Sequence, residues 1–260
     1  MGHVRLGVLP KTRPWREVVA LLYEAPHDVA AVASAVAVAA EKELDRFGAG
    51  LPVAYGFWLL TRLTMASRGD FAAELDALGL PSDSTLSATA FSAGLGDHLR
   101  QTMGVRAAAF GHFTELASLS LHKTLAETIG QQGAGLFGST VHDVQHAFAQ
   151  YSSGDQFANL ARRYFGDLLA RTVKSFLDRE VPRQLGQPGG QLNSIADRMA
   201  FDKAVGTYCR ESAFIVHDFA RDWYGKAKWQ TEGDIDFARA ADFTGVAMQK
   251  LRSELRVGTK

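Results

Sequence analysis

The sequence predicts an all-α protein with a multi-helix, bundle-like architecture of about eight or nine helices and no substantial sheet. Three observations carry this. Apolar residues recur at three- and four-residue steps through most of the chain, the spacing of one face of a helix. Strand character is confined to VRLGVLP (Val4–Pro10) near the N-terminus. Strands alternating with helices, the mark of a parallel α/β sheet, are absent from the pattern. With 260 residues and a 47% hydrophobic fraction, the chain has material for a sizeable core.

The elements follow in order. From Asp28, the residues Val29, Val32, Val36, Ala40, Leu44 and Phe47 mark a first strong helix, and a second runs from about Val53 to Ser67. Ser67-Arg68-Gly69-Asp70 then reads as a helix stop followed by an Asp N-cap, not as an adhesion motif. FAAELDALG is a short helix ended by Gly79 with Pro81 behind it. Asp83 or Ser84 can cap the next, whose Phe91, Leu95, Leu99 and Met103 share a face; another runs from about Ala107 to Ile129. Phe157, Leu160, Tyr164, Leu168, Val173, Phe176 and Leu177 mark a long helix to about Glu180. Phe201, Val205, Tyr208, Ser212, Ile215, Phe219 and Asp222 alternate by fours and threes, as do Phe237, Ala241, Thr244, Met248, Leu251 and Leu255, which is the seam of helices packed at shallow angles. Gly-rich connectors at Gly130–Ser139 and Gln184–Ser194 divide the chain. The expected organisation is an N-terminal helical region over 1–183, with its connector near 130–139, and a C-terminal helical hairpin over 195–260 packed on it as one body.

Composition excludes several classes. Lys plus Arg and Asp plus Glu each number 28, so no net charge draws the chain to nucleic acid or anionic lipid. The single Cys209 rules out an internal disulfide framework and a Cys-rich zinc site, and favours a reducing compartment. The N-terminal MGHVRLGVLPKTRPW has charges with no apolar stretch behind them, and Leu6 stands where a myristoylation signal needs Ser or Thr. A cytoplasmic location is therefore expected. VAAVASAVAVAA (Val29–Ala40) is too short to span a bilayer, which takes roughly 20 residues. LPVAYGFWLLTRLTMA (Leu51–Ala66) carries Arg62. Both read as buried core helices packed as a hairpin, with a membrane-acting role for 29–66 as an alternative.

The segment GAGLFGSTVHDVQH (Gly133–His146) looks like two catalytic signatures joined. GAGLFG fits G-x-G-x-x-G, but a dinucleotide loop needs a strand leading into it, and HKTLAETIGQQ has the spacing of a helix end. As a P-loop it has Ser139 where the phosphate-binding Lys belongs. His142 and His146, four apart, could share a metal with Asp143 nearby. Thr140 and Asp143, however, form a capping box, and both histidines fall opposite the apolar stripe of Val141, Val144, Phe148 and Tyr151. The segment reads as a helix start with the histidines facing solvent, and no cofactor is expected.

Other constellations are weaker. His112, Glu115 and His122 form one stripe with Leu119 between them; a di-iron bundle would need Glu-x-x-His on two helices, and Glu24-Ala25-Pro26-His27 is broken by its proline. Cys209 and His217, on one helix, would lie ~12 Å apart, too far for a nucleophile and its base. Arg162, Arg163, Arg171 and Lys174 charge one long helix, but Asp167 and Asp178 stand at pairing distance, so a solvated ion-pair face is the default. The tract RDWYGKAKW (Arg221–Trp229) stands out: Trp223, Tyr224 and Trp229 interleave with Arg221, Lys226 and Lys228, offering anchors and rim charge to a protein partner or, more weakly, stacking and phosphate contacts to nucleic acid. The plainer reading is a helix ending at Gly225 with Trp223 in the core. KTRPWR (Lys11–Arg16) has a similar composition, with Pro14 as a first-turn helical residue.

The tract CRESAFIVHDFARDWYGK resembles bacterial helical proteins without an assigned activity, and Ala and Arg usage suggests a bacterial source. The function expected is a non-enzymatic helical interaction or scaffold subunit of a bacterial multi-component system, phage defence being one such setting. The alternative is a metal-dependent hydrolase or nuclease whose His/Asp/Glu site, perhaps around His142, Asp143 and His146, assembles in space.

Overall fold

The structure is a computed structural model, in which residues 9–48, 50–82, 87–106, 111–132, 140–231 and 234–257 are described. Among them every regular element is a helix and there is no strand. In chain order these are α1 (Arg13–Glu24), α2 (Val29–Ala39), α3 (Glu41–Gly48), α4 (Leu51–Ala66), α5 (Phe71–Ala77), α6 (Ala88–Arg106), α7 (Gly111–Gln132), α8 (Val141–Ala149), α9 (Gly154–Leu177), the single turn α10 (Val181–Gln184), α11 (Ile195–Ser212), α12 (Phe214–Gln230) and α13 (Phe237–Val257). The all-α expectation stands, but the described residues hold twelve helices besides the single turn, more than the eight or nine expected.

The extra helices arise where a run of periodic apolar residues hides a bend. The expected helix from Asp28 through Phe47 divides at Ala40, where the backbone leaves helical geometry (φ −95°, ψ 14°) while its N–H still bonds Val36 O. The seam expected from Phe201 to Asp222 divides at Ala213 (φ −74°, ψ 1°). The bend fits around α9: a Cβ on Gly166 would meet Ala213 Cβ at 3.2 Å, so a larger residue there would push the corner out by a few tenths of an ångström. Beyond the bend the buried stripe moves over by one residue. Val216, Ala220, Tyr224 and Ala227 are buried, whereas Ile215 and Phe219 are partly exposed and Asp222 is exposed.

Helix starts follow the capping chemistry of the sequence. Asp70 accepts from Ala73 N, Ser153 from Gln156 N and Ser194 from Asp197 N, each satisfying an N–H that the first turn leaves without a partner. Pro14 lies in the first turn of α1. The expected caps Asp83 and Ser84 lie outside the described residues, as do the strand-like Val4–Val8 and the glycines of Gly133–Ser139; at the start of α6 it is Ser87 that accepts, from Ala90 N. Gly79 (φ 66°) terminates the turn after α5, as expected from its sequence position. The Gln184–Ser194 connector is pinned to α1, because Tyr23 Oη donates to Pro188 O at 2.6 Å and its ring covers Gly189 and Gly190.

Two helices form the frame. α9 is buried along nearly its whole length and packs on α7, α11 and α12; α4 packs on α7 and α13. Where α4 and α9 cross, Tyr164 lies fully buried over Gly56 and donates to Val53 O at 3.1 Å. A Cβ on Gly56 would stand 2.4 Å from Tyr164 Oη, so the crossing depends on that glycine. Phe57 stacks on Phe243 (centroids 4.5 Å apart) and contacts Phe157, Phe165 and Trp223, tying α4, α9, α12 and α13 into one aromatic core. α13 packs against both α2 and α4, so the two apolar runs are covered by the C-terminal helix. Among the described residues no helix is long and apolar enough to cross a membrane.

Candidate functional site

The aromatic-basic tract occupies the second half of α12, and the helix runs through Gly225 to Gln230 instead of stopping there. The buried face explains the continuation: Tyr224 and Ala227 are both in the core, and Thr231 Oγ1 closes the end by donating to Ala227 O at 2.9 Å. The structure splits the six tract residues into two sets. Tyr224 is buried and stacks on Phe157 at 4.0 Å, with its hydroxyl donating to Met65 Sδ. Burial pushes that hydroxyl's pKa well above its usual range. Trp223 is partly buried and lies 4.7 Å from the ring of Phe243. Of the expected contact residues, Tyr224 is therefore corrected to a core residue and Trp223 to a largely structural one. They anchor α12, while Arg221, Lys226, Lys228 and Trp229 remain exposed.

Trp229 is 83% exposed, the most exposed of the large apolar side chains among the described residues. Lys226 lies one turn before it on the same stripe of the helix. On the neighbouring stripe Lys228 borders a cleft of about 430 Å³ lined by Arg62, Met65, Arg68, Glu74, Ser152, Tyr224 and Asp234. Within the cleft Arg62 grips Glu74 through two bonds, Nε to Oε1 at 2.9 Å and Nη2 to Oε2 at 2.7 Å, and reaches Asp234 at 2.5 Å. These carboxylates hold the guanidinium more firmly protonated than usual, the Glu74 hydrogen bonds foremost. Arg68 donates to Ser152 Oγ and Ala149 O. Arg221 pairs loosely with Asp155 and Asp222.

The histidine segment starts α8 through the capping box read from the sequence. Asp143 N donates to Thr140 Oγ1 and Thr140 N to Asp143 Oδ2 at 2.8 Å. The Thr140 backbone bond, foremost, lowers the Asp143 pKa. His142 and His146 are exposed. Among the described residues no three His, Cys, Asp or Glu side chains gather at metal-binding distance. His112 and Glu115 are exposed and His122 partly so. Cys209 is fully buried, and burial pushes its thiol up to about 12, the state of an unreactive core residue.

The charged face of α9 is only partly the ion-pair face that its sequence spacing predicts. Asp167 does pair with Arg171 at 2.5 Å and Asp178 with Arg198 at 3.2 Å, but neither compensates Arg162 or Arg163. The partners that matter come from other helices, which helical spacing within α9 cannot reveal.

No family model matches the chain, and no curated protein or solved structure is significantly similar to it.

Proposed function

We propose that this chain is a non-enzymatic interaction subunit of a multi-component bacterial system, and that it docks a protein partner through the exposed end of α12. The observation that carries the reading is Trp229, 83% exposed on a helix whose adjoining residues Trp223 and Tyr224 are fixed in the aromatic core. An indole on a helix anchored in the core presents a large contact area, and Trp is enriched among residues that dominate binding energy. Lys226 and Lys228 flank it as rim charges, which act more on encounter rate and salt dependence than on affinity. The adjoining 430 Å³ cleft, with its mixed Arg62, Arg68, Glu74 and Asp234 lining, offers polar complementarity beside the anchor.

The metal-dependent reading draws no support from the geometry, since the Asp143 carboxylate is engaged by Thr140. The membrane-acting reading draws none either, because residues in the 29–66 run such as Val32, Val36, Phe57 and Leu60 are core residues.

The test is co-purification from native cells at physiological salt, quantified by mass spectrometry, for the wild type and Trp229→Ala. A near-stoichiometric protein retained by the wild type and reduced at least about tenfold in the variant, the size of a ~1.4 kcal/mol loss, supports the reading. Unchanged far-ultraviolet dichroism of the variant secures the comparison. A wild type that purifies alone, or a partner held equally by the variant, overturns it. Retention of nucleic acid in place of protein would overturn it in favour of the stacking role.

A further inference from the structure

A second concave surface lies away from the α12 end, where α7, α9 and α11 meet. It has a volume of about 250 Å³ and is lined by Lys123, Glu127, Asn159, Arg162, Arg163, Asp167 and Arg210. The charges there do not cancel. Asp167, almost wholly buried, is engaged on both oxygens, by Lys123 Nζ at 2.7 Å and Arg171 Nε at 2.5 Å. Glu127 is paired with the same Lys123 at 3.7 Å. Arg162, Arg163 and Arg210 have no carboxylate at ion-pair distance among the described residues. The two acids are thus occupied, and three guanidiniums line one pocket without a direct ion pair, Glu211 giving Arg162 only a longer-range attraction.

Their positions are built. Arg162 sits over the Phe214 ring with its central carbon 3.7 Å from the centroid, a cation–π contact that holds the side chain at the pocket wall. Arg210 donates to Thr207 Oγ1. Gly206 makes room for a second convergence: a Cβ there would lie 3.2 Å from Arg210 Nη1 and 3.4 Å from Lys174 Nζ, so the two cations sit over the same bare backbone. Like charges gathered in this way are unfavourable unless an anion is present. Burial foremost, and then the neighbouring Arg163, lower the pKa of Arg162, as expected for such crowding.

We propose that this groove binds a small phosphorylated anion, with the phosphate oxygens held by Arg162, Arg163 and Arg210 and the amide of Asn159 as a neutral donor. Arginine is the residue suited to this because its planar fork meets phosphate oxygens two at a time. Size sets the class: the volume lies below the roughly 300–1,000 Å³ of pockets that enclose drug-sized ligands. It accommodates a phosphate or diphosphate group, whose remainder extends into solvent along exposed Arg163. The site shares no residue with the α12 end, so its presence or absence does not bear on the partner-docking reading.

The experiment is titration calorimetry of the full chain with inorganic pyrophosphate at physiological ionic strength, compared with Arg162→Gln/Arg210→Gln and with Arg239→Gln, an exposed arginine on α13, as control. The expected result is saturable binding to the wild type and to the control, weakened at least about tenfold by the double substitution, which removes charge-assisted hydrogen bonds to the anion. Near-ultraviolet dichroism establishes that the double variant is folded; a phosphorus resonance that broadens with wild type and not with Arg163→Gln provides an independent reading. No binding at millimolar pyrophosphate overturns the proposal, and so does equal weakening by Arg239→Gln, which would mean diffuse attraction. Binding of a single-stranded oligonucleotide that depends on the same arginines, with no affinity for pyrophosphate, would replace the small anion with a nucleic-acid strand.

Discussion

Both clefts are lined by arginines, and they differ in whether those arginines meet a carboxylate directly. In the cleft beside α12, Arg62 meets Glu74 and Asp234 directly, while Arg68 is held by the neutral Ser152 Oγ and Ala149 O. In the groove on α7, α9 and α11, Asp167 and Glu127 are taken by Lys123 and Arg171, and Arg162, Arg163 and Arg210 are left over. The count of arginines does not decide a surface's role; the placement of carboxylates does. A carboxylate fully committed to one or two cations leaves the next cation available, and a third cation then turns a structural ion pair into an anion-attracting surface.

Both clefts hang on one frame, the crossing of α4 and α9, so the largest effect should come from breaking it. Gly56→Ala would normally help a helix by up to ~1 kcal/mol. Here the added Cβ would stand 2.4 Å from Tyr164 Oη and 3.1 Å from Leu99 Cδ1, and the Tyr164–Val53 hydrogen bond must shift. Overpacking of this kind costs about 1–3 kcal/mol, and the clash should win over the propensity gain. A fall in the urea midpoint checks this. Gly225→Ala is the matched control: nothing lies within 4 Å of its Cβ, so the midpoint should rise slightly instead. A neutral Gly56→Ala would mean the crossing is looser than described.

The next effect separates the clefts. Arg62→Gln removes three charged bonds and leaves Glu74, whose side chain is only 14% exposed, without its partner. A partly buried carboxylate stranded in this way should cost about 1–2 kcal/mol, most of it from Glu74. Asp234 is 81% exposed, and its share is small. Double replacement with Glu74→Gln should recover part of the loss, since it removes the stranded charge as well. A midpoint unchanged by Arg62→Gln would show that the first cleft is no more self-compensated than the second.

The fold was largely legible in the sequence because packing follows periodicity. Phe91, Leu95, Leu99 and Met103 are buried as a stripe, and Thr140 and Asp70 cap the helices they precede. Bends at Ala40 and Ala213 were not legible, because apolar residues keep recurring at three- and four-residue steps across both corners and leave no gap in the pattern. The tract on α12 was found by composition but not divided by it: Trp223 and Tyr224 turn inward and Trp229 outward according to where the stripe moves after Ala213. The basic groove was least legible. Arg162 and Arg210 come from different helices, and the lysine that occupies Asp167 lies 44 residues away in the chain. Spacing within α9 pairs Asp167 with Arg171 correctly and says nothing of Lys123.

The smallest effect tests the comparison through its sign. Arg210→Gln removes one of three guanidiniums without a direct ion pair and a single bond to Thr207, so stability without added anion should change by no more than about 0.5 kcal/mol, toward stabilisation. A change this small is read best through salt. Repulsion among Arg162, Arg163, Lys174 and Arg210 is screened as the Debye length contracts from ~10 Å to ~3 Å between 0.1 and 1 M salt. Screening should raise wild-type stability through this groove and raise it less once Arg210 is gone. The Arg62 cluster responds the other way, because screening weakens an attraction. Sodium chloride should thus help the wild type relative to Arg210→Gln and hurt it relative to Arg62→Gln. Chloride is the appropriate salt, since sulfate or phosphate would itself enter the groove. Parallel salt slopes in the two variants would show that both clefts are compensated alike, and that the arginines on α9 and α11 are ordinary solvated charges.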